Sequence, residues 1–148
     1  MVEIILKVSI TTMLVLCSAQ DIYKKKLLIW PLALFALLVI LCSCFSNSIS
    51  ILDRLGGFIL GLGVIVLSLV TGGKIGLGDG IILAITGIGL GLWANMELFA
   101  IALFLAAIVS ILLLILRIAN RKKSIPFVPF LLVSYLFMIV IRIKSGTP

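Results

Sequence analysis

Six runs of apolar residues, separated by short polar or basic stretches, leave this chain few ways to fold. They cover residues 2–19, 27–45, 55–70, 80–94, 98–116 and 125–141. Within each run the apolar character is continuous, which predicts helix; a membrane barrel would alternate polar and apolar positions. Hydrophobic residues make up 64% of the chain and charged ones 11%, against about half and about a quarter in soluble domains. A soluble fold of this size has too little interior to hide so much apolar side chain, so lipid is the expected solvent. At about 20 residues per crossing, six spans use up the 148 residues and leave no room for a separate soluble domain. The expected fold is all-α: a polytopic membrane bundle of about six transmembrane helices, forming one integral-membrane domain over residues 1–148.

The net charge of +7 would point to nucleic acid in a soluble protein. Here the basic residues fall between apolar runs, where the positive-inside rule accounts for them, and no nucleic-acid partner is expected. Asp21 and Asp79 are separated by two runs and so face one compartment. That side collects Lys24, Lys25, Lys26, Lys74, Arg117, Arg121, Lys122 and Lys123, while the other has Lys7, Arg54, Arg142 and Lys144. The excess makes the aspartate side cytoplasmic and the N-terminus external, in a multi-pass protein of the cell membrane. The first run carries Glu3 and Lys7 and no A-x-A-like site, so it is expected to be retained as a span. Glu3, Asp53 and Glu97 fall on the outer side.

Only five acidic residues occur, and a carboxylate at the edge of lipid is costly enough to mark a functional site. Asp79 closes Gly76-Leu77-Gly78-Asp79 just before the fourth run. Glycines there permit unusual backbone angles and let an extended chain lie close to the carboxylate. Pro126, Phe127 and Pro129 open the sixth run from the same side, where the prolines hinder regular helix and leave backbone groups to line a cavity or support a loop. Each feature also has a plain reading: Asp21 as a solvated ion pair with nearby lysines, the prolines as a helix start. Gly57 and Gly61, and Gly87 and Gly91, are spaced four apart and point to close packing of spans three and four. The chain has no histidine and no C-x-x-C, and Cys17, Cys42 and Cys44 read as small apolar packing residues, so no metal site or cofactor is expected.

The chain resembles the type IV prepilin (leader) peptidases, GxGD-type intramembrane aspartic proteases of bacteria with relatives in archaea. The resemblance spans essentially the whole chain. An aspartate and basic run, Asp21-Ile22-Tyr23-Lys24-Lys25-Lys26, are followed by Gly-Leu-Gly-Asp and then by Ile125-Pro126-Phe127-Val128-Pro129-Phe130. It implies that Asp21 and Asp79 are catalytic, and that the partner is a prepilin or pseudopilin-like protein cut between its basic leader and its hydrophobic helix. Two positions depart from the family pattern. Leu27-Leu28-Ile29 stands where Ile-Pro-Asn is usual, and Ile81 where a lysine is common. Both bear on substrate positioning, leaving open a diverged substrate range or lost activity. The chain also lacks the cysteine-rich insertion of bifunctional members and so resembles the short, peptidase-only form.

Amide hydrolysis by two carboxylates needs one ionised to activate water and one protonated to donate. Close placement forces that state, because two like charges at short range do not both ionise at neutral pH. Helix dipoles favour ionised Asp79, before the fourth span, as base and protonated Asp21, after the first, as acid. Two other functions fit the same residues: a small transporter or proton pathway built on paired carboxylates, and an inactive scaffold of a pilus or secretion assembly. The sequence leaves the particular substrate and the oligomeric state open.

Overall fold

A computed structural model describes residues 2–24, 29–46, 48–72, 76–116 and 126–145. These residues form helices and no strand: α1 (Val2–Lys24), α2 (Ile29–Phe45), α3 (Ile51–Val70), α4 (Leu77–Leu90), α5 (Leu92–Ile115) and α6 (Val128–Ser145). Among them, Val2–Tyr23, Ile51–Val70 and Leu92–Ile115 are long and apolar enough to cross a membrane, and the other helices are shorter but also apolar.

The helices follow the apolar runs but end elsewhere, and the shifts matter for the site. α1 continues beyond residue 19, so that Asp21 stands in its last turn. α3 begins at Ile51 rather than at residue 55 and takes Asp53 and Arg54 into its first turns. α4 starts before the fourth run and stops at Leu90 rather than at residue 94. Gly91, expected inside the fourth span as a packing partner of Gly87, instead forms the junction with α5. Its φ of 82° suits glycine, and a Cβ there would strike the Asp53 carboxylate.

Gly57, Gly61 and Gly87 do act at a helix contact, as their spacing predicts. A Cβ on Gly57 would fall on the Gly87 carbonyl, and one on Gly61 on the Ala84 backbone. Further along, a Cβ on Gly80 would lie 2.6 Å from Ile65 Cγ1. α3 and α4 are therefore antiparallel with touching backbones. This makes α4 the enclosed helix, with Gly80, the stretch from Ile82 to Gly87, and Gly89 all buried. Around it, Ile10, Met13, Leu14, Leu98 and Leu131 have no exposed surface. Cys17 joins this core, whereas Cys44 is exposed.

A polar node fixes the register of three helices. Asn95 of α5 is fully buried. Its Nδ2 donates to Leu83 O of α4 at 2.9 Å and to Gly57 O of α3 at 3.4 Å, and its Oδ1 accepts from Thr86 Oγ1 at 2.8 Å. Buried polar atoms are costly unless paired, so this network specifies one arrangement of α3, α4 and α5. Beyond it α5 leaves the core: no residue from 103 to 116 is buried.

Candidate functional site

The three sequence motifs meet at one end of the bundle. Asp21, in the last turn of α1, is half-buried. Its Oδ2 accepts a hydrogen bond from the backbone N–H of Val128, the first residue of α6, at 3.2 Å. The first amides of a helix have no partner within it, and here Asp21 supplies one. Pro129 follows in the opening turn, where its missing N–H costs nothing. Ahead of the helix, Phe127 packs edge-on to Phe99 of α5, with ring centroids 6.3 Å apart and planes at 78°. Its carbonyl accepts from Phe130 N at 3.0 Å. The half-buried Pro126 and Phe127 thus form a short strap between α1 and α5 that lies beside Asp21.

Asp79 stands in the first turn of α4, not in a loop before it. Gly76 is the N-cap residue at φ −63° and ψ 121°, angles open to any L residue. Its role is spatial rather than conformational, since a Cβ there would lie 2.6 Å from Asp79 Oδ2. Gly78, half-buried, completes the turn. The Asp79 carboxyl lies outside the apolar run that begins at residue 80. Burial first, and the Asp21 carboxylate second, push its pKa upward. The two carboxyl groups thus lie within electrostatic reach of each other.

Of the two departures from the family pattern, Ile81 is exposed beside the site, while Leu27 and Leu28 lie outside the described residues. So do Lys25, Lys26, Lys74 and the basic stretch 117–123.

At the opposite end lies a second polar cluster that the sequence did not announce. Arg54 is only 8% exposed. It donates through Nη1 to Ile88 O and through Nη2 to Ser46 O, both at 3.0 Å, and through Nε to Ile49 O at 3.3 Å. Ser43 Oγ also donates to Ile88 O, at 3.4 Å. Asp53 Oδ1 accepts from Leu92 N at 3.1 Å and so caps α5. These bonds tie the α2–α3 connection to the α4–α5 junction and hold α4 at the height that presents Asp79. A charged pair in a connection reads as solvated, so only the fold discloses its burial.

No family model matches the chain, and no curated protein or solved structure matches it significantly.

Proposed function

We propose that the chain is an intramembrane aspartic endopeptidase of the prepilin-peptidase type. In this reading six helices cross the cell membrane with the N-terminus outside, and the enzyme cuts a basic leader from a prepilin-like substrate at the cytoplasmic edge. The observation that carries the reading is the convergence of Asp21, Asp79 and the Val128 amide, one from each of three motifs far apart in sequence.

The chemistry follows from the different surroundings of the two carboxyls. Asp79, whose ionised form is disfavoured by burial and by Asp21, holds the proton. Asp21, with Oδ2 engaged by an amide donor, offers Oδ1 to a water. Asp21 takes a proton from that water as its oxygen attacks the scissile carbonyl carbon, and Asp79 protonates the carbonyl oxygen. The resulting gem-diol collapses: the C–N bond breaks, Asp21 passes its proton to the leaving amine, and a diol hydroxyl returns one to Asp79. One water is consumed and both carboxyls regain their starting states.

A helical substrate must unwind locally, because a peptide bond inside a helix is shielded by its own turns. The unburied half of α5, residues 103–116, runs toward the aspartate end and offers an apolar flank for entry from lipid. The chain's own basic stretches would repel a basic leader, so recognition rests on the substrate's apolar helix. Co-expression with candidate prepilin-like proteins tests the reading through the appearance of a shortened product. Proton flux in vesicles without cleavage would instead favour a transporter, and the absence of both would favour a scaffold.

A further inference from the structure

Asp53 and Arg54, neighbours in the first turns of α3, take up the two halves of one broken helical bond. In an unbroken helix the amide of Leu92 would donate to the carbonyl of Ile88, four residues back. Gly91, at φ 82°, interrupts the helix there, and each half finds another partner. Leu92 N donates to Asp53 Oδ1 at 3.1 Å, and Ile88 O accepts from Arg54 Nη1 at 3.0 Å. The other guanidinium nitrogens bind Ser46 O at 3.0 Å and Ile49 O at 3.3 Å, in the α2–α3 connection. With 8% of its surface exposed, Arg54 is a buried cation at the C-terminal, negative end of α4. No step of the proposed hydrolysis touches it.

We propose that Arg54 is a positioning residue for Asp79, acting through α4: its guanidinium fixes where α4 stops, and so where the carboxyl at the other end stands. Three observations support the assignment. α4 is one short helix, Leu77–Leu90, in which Ile88 lies about 14 Å from Asp79 along the axis, so a shift of one end is carried to the other. The α3–α4 seam is built on Gly57, Gly61, Gly80 and Gly87. Such a seam lets backbones touch but offers few interlocking side chains to stop sliding along the axis. The guanidinium is a rigid fork, and its bonds to Ile88, Ser46 and Ile49 can be made together in one place only. The Asn95 node grips the middle of α4, and Arg54 grips its end. The inference deepens the proposed function and rests on it for turnover alone, since the position of Asp79 can be read without substrate.

A stability-versus-pH series and a cleavage assay on the same folded samples test it. In wild type the decline of stability should level off near the raised pKa of Asp79, about 7. Among the described side chains, Asp21 of α1 is the charged group that acts on Asp79. α2 carries none, and those of α3, α5 and α6 (Asp53, Arg54, Glu97, Arg142 and Lys144) stand toward the opposite end. In Arg54→Gln the released α4 lets water reach Asp79, so the levelling point should fall by about one pH unit toward the ordinary carboxylate range. Its kcat should fall about a hundredfold, the scale for a reacting group displaced by about 1 Å, with KM little changed. Arg54→Lys keeps the charge without the fork and should fall between. Ser43→Ala removes a second, longer bond to Ile88 O and should leave both readouts at wild-type values. If Arg54→Gln does not fold, Arg54→Lys carries the comparison. An unchanged levelling point in a folded Arg54 variant overturns the inference, whatever happens to melting temperature or turnover. No cleavage by wild type, with the levelling point still shifted by the Arg54 variant, would sink the peptidase reading and keep Arg54 as the residue that positions Asp79.

Discussion

The backbone N–H of Val128 reaches Oδ2 of Asp21 at 3.2 Å across a separation of 107 positions. One carboxylate thereby closes the N-terminus of α6 and lies within electrostatic reach of the second carboxyl, at Asp79. Structure and proposed chemistry draw on the same group, and substitution separates them. Asp21→Ala removes the acceptor and should cost about 1 kcal/mol of stability, the scale of a lost N-terminal cap. Asp21→Asn retains an amide oxygen for Val128 and should cost little. Denaturation in mild detergent, followed by circular dichroism, compares the two; equal losses would mean that the bond to Val128 contributes nothing.

Gly76 has ordinary backbone angles, and a Cβ there would lie 2.6 Å from Asp79 Oδ2, close enough to push that carboxyl aside. Gly76→Ala should therefore leave the fold intact while displacing the Asp79 carboxyl, lowering turnover by about a hundredfold, as expected when a reacting group moves by about 1 Å. A turnover assay with a melting curve on the same sample checks this. Unchanged turnover would mean that Asp79 does not need its present position.

The α3–α4 contact makes a sharper demand on stability. A Cβ on Gly87 meets the Gly57 carbonyl, whereas Gly63 has nothing within 4 Å of its built Cβ. Gly87→Ala should destabilise by about 1–3 kcal/mol, the usual cost of overpacking. Gly63→Ala should be neutral or slightly stabilising, since alanine is the better helix former. Thermal unfolding of the pair tests the touching backbones directly.

How much of this was legible beforehand varies with the physics. Continuous apolar runs predict the helices and their order, because lipid-like burial leaves no weaker periodicity to misread. The small-residue spacing marks Gly57, Gly61 and Gly87, since only close backbone approach gives such spacing a use. Helix ends were less legible. α1 runs on to Lys24 and α3 starts at Ile51 because helix continues into polar residues wherever their backbone finds partners. Gly91 sits at the α4–α5 junction rather than on a packing face, and the two kinds of glycine look alike in sequence. Asp21 and Asp79 stand out by rarity, but the Val128 bond, the Arg54 clamp and the Asn95 node depend on contacts between distant segments. No local pattern encodes those.

Burial and the Asp21 carboxylate raise the pKa of Asp79, and the sign of the pH effect follows. An acid whose folded pKa lies above its unfolded value is harder to ionise in the native state. Stability should therefore decline as pH rises from the ordinary carboxylate range up to the raised value, then level off. Asp79→Asn should remove that slope. Cleavage should not lose its proton donor over that rise, where native Asp79 stays protonated, and should fall as pH passes through the raised value of about 7. A stability-versus-pH series on wild type and Asp79→Asn gives the sign without any substrate.

Cleavage of a co-reconstituted prepilin-like substrate by wild type and by the Asp21→Asn, Asp79→Asn and Glu97→Ala variants tests the central claim most directly. Each Asn variant keeps nearly the shape of the side chain but cannot cycle a proton, so each should abolish the shortened product. Glu97→Ala, on an acid expected across the membrane thickness, should cleave like wild type. Product formed by folded Asp21→Asn or Asp79→Asn protein at more than a small fraction of the wild-type rate would contradict a mechanism that needs both carboxyl groups.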